Sequence, residues 1–152
     1  MNGHYVICGF SGVGKSTAEQ LHKNVYDFES SAYSHKWSPD CFSEKNEEFP
    51  KNYIDDLEKH MGEHSNAVYL LSCHQEVRDE LKARGIDYII VMPRLEQRDE
   101  YLKRWLRRGS SVEFIKMMSA RWLAMVSSCE KDMSPKIYLA EDEYINDVLP
   151  KV

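Results

Sequence analysis

Near the start of the chain, Gly9-Phe-Ser-Gly-Val-Gly14-Lys15-Ser16 spells the pattern GxxxxGK[ST], and no other stretch narrows the fold as much. Glycines let a backbone turn tightly and bring its N–H groups onto phosphate oxygens with no side chain in the way. A helix opening directly after them aims its N-terminus at the same anion. In this chemistry Lys15 is a point charge for the β- and γ-phosphates, and Ser16 offers its hydroxyl to Mg²⁺. A match arises by chance on the order of once in a few hundred chains of this length. The surroundings decide against chance: an apolar run, His4 to Phe10 (HYVICGF), leads in, and an amphipathic run from Gly14 to about Lys23 leads out. The stretch predicts a buried strand, a phosphate-binding loop and a helix, with Ser11, Gly12, Val13, Gly14, Lys15, Ser16 and Thr17 as the triphosphate contacts.

The rest of the chain alternates in the same way. Strands are expected at Val25–Phe28, Ala67–Cys73 (AVYLLSC), Asp87–Pro93 (DYIIVMP) and Lys136–Ala140 (KIYLA). Between them, helices are expected at Lys51–Met61, His74–Arg84, Arg94–Arg108 and Ser110–Cys129, with a closing helix at Glu141–Leu149. Residues 29 to 49 are polar, aromatic-rich and irregular, with Pro39 and Pro50 as breakers. Strands separated by helices, and continuous apolar character in the strands, predict a parallel sheet covered on both faces. The expected fold is therefore α/β: a three-layer P-loop NTPase fold with a five-stranded parallel sheet flanked by helices. With 152 residues and no repeat or linker, one domain is expected over residues 1–152.

Charge and cysteine usage exclude some classes. A formal net charge of -5 argues against binding a nucleic-acid polymer, which needs broad positive surface. Cys8, Cys41, Cys73 and Cys129 are widely spaced with no CxxC pair, and read as four reduced thiols. No run approaches the length of a membrane span and the N-terminus enters a strand almost at once, so no membrane partner and a cytoplasmic location are expected. The helix from Ser110 to Cys129 carries Ile115, Met118, Trp122, Met125 and Cys129 on one stripe, read as core, with a homodimer seam left open.

The loop alone does not name a reaction. A helicase or transporter core is usually larger, and the guanine-reading NKxD motif is absent. Arg94, Arg98, Lys103, Arg104, Arg107 and Arg108 crowd a short segment before Gly109. Phosphoryl transfer needs cations around the moving group, which favours a kinase, although cations near a helix C-terminus also suit its dipole.

GFSGVGKST, DFESS at 27–31, FPKNYIDDL at 49–57, LLSCHQEVR at 70–78 and EYLKRWLRRG at 100–109, in that order, resemble the small nucleotide kinases of bacteriophages and prophages, in the adenylate-kinase-like branch of P-loop proteins. The resemblance implies transfer of the γ-phosphoryl group of ATP, with Mg²⁺, to a nucleoside monophosphate or a nucleoside. It assigns residues 29–62 to acceptor binding and 94–110 to a lid. It makes Lys15, Arg104 and Arg108 catalytic, the two arginines as lid residues closing over the transferring group. It makes Ser16 and Asp27 metal-handling, and Asp27, Glu29, Tyr53 and Arg78 acceptor contacts, with Trp37, Phe42 and Phe49 able to stack on a base. The third strand runs into Leu70-Leu71-Ser72-Cys73-His74 with no aspartate, so Asp27 or Glu29 must manage the metal. Two other readings stand beside this one: a small-metabolite kinase of the shikimate or gluconate type, and a regulator that binds nucleotide without turning it over.

Overall fold

The structure, a computed structural model, describes residues 4–37 and 43–149. Strand β1 (Tyr5–Gly9) runs into the loop and helix α1 (Lys15–Leu21), which returns to β2 (Val25–Phe28). A short helix α2 (Ser31–Ser34) and an antiparallel ribbon, β3 (His35–Trp37) with β4 (Ser43–Lys45), precede α3 (Lys51–Glu63). Then follow β5 (Val68–Ser72), α4 (Gln75–Ala83), β6 (Ile89–Met92), α5 (Arg98–Arg107), α6 (Val112–Ala120), α7 (Trp122–Lys131) and β7 (Lys136–Tyr138).

The five-stranded sheet has the order β2-β5-β1-β6-β7, with every neighbouring pair parallel. The expected α/β fold, P-loop and kinase-like, is what the chain forms. Burial explains which strands were easiest to read. The central strands β1 and β5 show four buried residues of five, whereas the edge strands β2 and β7 are largely half-buried. The chain crosses from β5 to β6 over β1, so β1 sits where the direction of winding changes. Ligands in open α/β sheets bind beyond the carboxyl ends of strands at such a point. That end of β1 is where the glycine loop begins.

Three expectations need correction. The helix from Ser110 to Cys129 is two helices with a turn at Arg121, although no glycine or proline marks it. The turn carries Trp122 into the core, where its indole N–H donates to the Leu95 carbonyl at 2.8 Å and its ring packs on Phe10 at 5.4 Å. The closing helix is only a single 3-10 turn, Ile145–Asp147, because Asp142 takes a left-handed φ of 61° and the Ile145 N–H is given to the Val13 carbonyl at 2.8 Å. The stretch read as irregular holds α2 and the β3–β4 ribbon. Phe42, Cys41 and the Trp37 side chain lie outside what the structure describes. Cys8, Cys73 and Cys129 are free thiols.

Candidate active site

The loop after β1 opens on a cleft of about 830 Å³. Gly12 and Gly14 both hold left-handed φ, 96° and 93°, a region that L side chains rarely enter. Space forbids a side chain at the same positions. A Cβ on Gly12 would stand 3.1 Å from the Trp105 indole nitrogen, and one on Gly14 would stand 3.1 Å from the Tyr144 ring. Gly9, Ser11, Gly12, Gly14, Lys15, Ser16 and Thr17 line the cleft. Val13 does not fit its expected role as a phosphate contact. Its side chain is buried, its N–H donates to the Phe10 carbonyl and its carbonyl accepts from Ile145, so it holds the loop's shape.

Arg104 also departs from its expected place. It lines the cleft, but at 5% exposed it is committed to the loop and its surroundings. Its guanidinium donates to the carbonyls of Gly12 (3.0 Å) and Glu143 (2.7 Å) and to the Glu100 carboxylate (2.6 Å). It lies between the rings of Tyr101 and Tyr144, 4.4 and 3.9 Å from their centroids. Such a group braces the loop. Trp105 adds a bond from its indole N–H to the Ser11 carbonyl at 3.3 Å. Arg108, one turn further along, does face the cleft, and donates to the Ser11 hydroxyl at 3.0 Å.

Lys15 and Asp27 line the same cleft without forming an ion pair. Lys15 Nζ donates to the Gly9 carbonyl at 3.0 Å. Burial pushes its pKa down, and Asp27 opposes that shift. Burial pushes the Asp27 carboxyl up, and Lys15 opposes that in turn. Asp27 Oδ1 is a buried oxygen with no hydrogen-bond partner, while the Asp27 backbone N–H is held by Glu19 at 2.6 Å. An unpartnered buried carboxylate oxygen is costly unless something fills its place. Beside Ser16, a hydrated Mg²⁺ carried on triphosphate oxygens fits that place, since Mg²⁺ keeps most of its waters and takes one or two protein oxygens. Among the described residues no cluster of three or more His, Cys, Asp or Glu could hold a metal by itself. Glu29 also lines the cleft, its carboxylate accepting from the Ser31 N–H at 3.2 Å.

Two of the expected acceptor contacts are committed elsewhere. Tyr53 is fully buried, and its hydroxyl donates to the Phe28 carbonyl among the rings of Phe28, Tyr33 and Phe49. It belongs to the core, as does Phe49. Arg78 reaches the cleft wall but is 3% exposed. It donates to Asp132 (2.9 Å), to the Ser128 hydroxyl (2.7 Å) and carbonyl (3.3 Å), and to the Cys73 carbonyl (3.2 Å). Asp132 also accepts from Tyr88 at 2.6 Å and Lys82 at 3.1 Å, and these bonds hold its carboxyl well below the usual range against the opposing effect of burial. Arg78 is thus an anchor between α4 and α7.

The same cleft contains Arg107 of the expected arginine cluster, Met118 and Met125 of the stripe read as core, and three residues the sequence reading passed over, Phe114, Met117 and Arg121. Arg121 sits at the unforeseen turn, and counting the helix from Ser110 in two stripes instead of one would have found it.

A sheet of this order with a glycine loop at its winding switch defines a P-loop protein of kinase-like fold. No family model matches the chain, and no curated protein matches it. Among solved structures, the tunicamycin resistance protein of Deinococcus radiodurans is similar, with a TM-score of 0.61 and 21% identity over 97% of this chain and 91% of that one. At that identity the likeness speaks to the fold alone. No helix among the described residues is long and apolar enough to cross a membrane.

Proposed function

We propose that this protein is an ATP-dependent small-molecule kinase, transferring the γ-phosphoryl group of Mg²⁺-bound ATP to an acceptor hydroxyl. The observation that carries the reading is the buried, unpartnered Oδ1 of Asp27, which shares one cleft with Lys15 at the mouth of a glycine loop. The cleft of about 830 Å³ has room for a donor and an acceptor together. In this reading the loop amides and Lys15 hold the β- and γ-phosphates, and Arg108 approaches from the Ser11 side. Ser16 and Asp27 hold the hydrated Mg²⁺, which neutralises charge on the triphosphate. In this reading Asp27 also accepts the proton of the acceptor hydroxyl.

A nucleoside monophosphate acceptor is the second reading, as in the phage kinases the sequence resembles. Arg107 and Arg121 on the cleft favour it, and the commitment of Arg78 to Asp132 weighs against it. The test is phosphate transfer from labelled ATP with Mg²⁺ to a panel of nucleoside monophosphates, nucleosides and hydroxylated metabolites. Acceptor-dependent ADP formation supports the kinase. ATP binding with no acceptor phosphorylated would reject it in favour of a nucleotide-binding regulator.

A further inference from the structure

The helices α6 and α7 carry two apolar stripes where a surface helix pair normally carries one. The inner stripe, Met118, Trp122, Val126 and Cys129, is buried in the core. The second, Met117, Arg121, Ala124, Met125 and Ser128, recurs at the same helical spacing and lines the cleft. In a chain with 30% charged residues, a stripe open to solvent would be expected to carry lysines and glutamates. This one carries a single charge, at Arg121. Glu113, Lys116, Glu130 and Lys131 of the same two helices do not line the cleft. Met117 remains 42% exposed, so the stripe is an uncovered wall and not part of the core.

From this geometry we infer that the acceptor is an amphiphile, presenting a hydroxyl to the loop and laying a sizeable apolar group along Met117, Ala124 and Met125. The inference rests on the kinase reading and narrows its substrate class. Polarity along the cleft sets the orientation. At the loop end stand Lys15, Asp27 and Arg108, suited to phosphates and metal. At the far end Arg78 is held by Asp132 and Ser128, leaving no uncommitted deep cation for a second phosphate. Methionine is the apolar side chain best able to re-pack around differing ligands, having three rotatable bonds and a polarisable sulfur. The occupant is assigned to substrate because the stripe is continuous with the phosphate end of one cleft. Arg121, set among the apolar residues, would select an acceptor carrying a negative or strongly hydrogen-bonding group beside its apolar part.

The test uses the full chain with methyl-¹³C methionine, saturated with Mg²⁺ and a non-hydrolysable ATP analogue, and titrated with n-hexanol, n-octanol and n-decanol. The expected result is a shift of the Met117 and Met125 methyl signals, with Kd falling about threefold to fourfold per added methylene, as burial of each methylene at about 0.8 kcal/mol requires. Met117→Gln and, separately, Ala124→Gln should abolish that chain-length dependence without changing affinity for the ATP analogue. Both sites are exposed, so neither exchange disturbs the core. Binding of the analogue without methionine shifts, or a Kd independent of chain length, would overturn the amphiphile while leaving the kinase reading intact. Failure to bind the analogue would fell the kinase reading and this inference with it. A concentration-dependent dimer dispersed by Met117→Gln would assign the stripe to a second copy of the chain and overturn the inference too.

Discussion

Arg104 separates two accounts of the same residue, and Arg104→Ala should destabilise the protein before it touches chemistry. As a lid arginine it would touch only the transferring group, and its loss would lower turnover by roughly a hundredfold or more with the fold unchanged. In the structure it fastens three things at once: the loop at Gly12, the C-terminal segment at Glu143, and its own helix at Glu100. Removal leaves two backbone carbonyls without their donor, at about 1–3 kcal/mol each if water does not replace it. It also removes a cation held between two tyrosine rings, worth up to about 2 kcal/mol when desolvated. These losses overlap, because Glu100 is partly exposed and recovers some hydration, so a net cost of about 3–5 kcal/mol is expected, as for other broken buried pairs. For a chain of this size each kcal/mol moves Tm by about 2–4 °C, giving a fall of roughly 6–20 °C. Thermal unfolding by circular dichroism without nucleotide reads it directly, and ATP affinity should weaken in parallel as the loop loosens. A Tm within about 2 °C of the parent, with turnover lost, would refute the bracing role.

Lys15→Ala should abolish turnover and weaken nucleotide binding while leaving Tm in the absence of ligand near the parent value. Its one protein bond is to the Gly9 carbonyl, and equilibrium binding beside a melting curve checks both. Asp27→Asn keeps shape but removes the charge facing Lys15, so Mg²⁺-dependent ATP turnover should fall by about a hundredfold or more; undiminished Mg²⁺ dependence would show that another group handles the metal. Asp132→Asn leaves Arg78 buried without its counter-charge, and a loss of about 3–5 kcal/mol in chemical denaturation is expected, with nucleotide binding little changed. His60 has its pKa lowered first by burial and then by His64, whose ring stacks on it at 4.0 Å. The folded form therefore binds fewer protons than the unfolded chain. Stability should be fully present above the unfolded value near 6.5 and decline as pH falls from there towards the lowered folded value. Denaturation midpoints between pH 7.5 and 5 should show this slope, and His60→Gln should flatten it.

The sheet was legible because its middle strands are covered on both faces, so β1, β5 and β6 stand out as apolar runs bounded by polar ones. The loop was legible because its chemistry is local: glycines, a lysine and a serine at fixed spacing. The roles of the arginines were not, since each depends on a partner remote in sequence. Arg78 meets Asp132 across 54 residues and Arg104 meets Gly12 across 92. No spacing rule joins such pairs, and an arginine near a kinase-like loop reads the same whether it points into the cleft or beneath it. The break at Arg121 was hidden for a related reason. Its cause is the space that Phe10, Tyr101 and Trp105 leave for Trp122, not a residue that dislikes helices.

The glycines of the loop therefore answer to two demands, of which the pattern states only one. Their missing side chains would let phosphate approach the backbone, and they also leave room for Trp105 beside Gly12 and Tyr144 beside Gly14. A loop with consecutive amides turned towards an anion crowds partial positive charge before any ligand arrives, and left unsupported it would relax. Here Arg104 holds the Gly12 carbonyl, Trp105 the Ser11 carbonyl and Ile145 the Val13 carbonyl. A donor on the carbonyl of a peptide group and an acceptor on its N–H pull on opposite ends of one dipole, and each polarises the group in the direction the other needs. Arg104 and these two donors thus hold the loop in one shape before any ligand arrives.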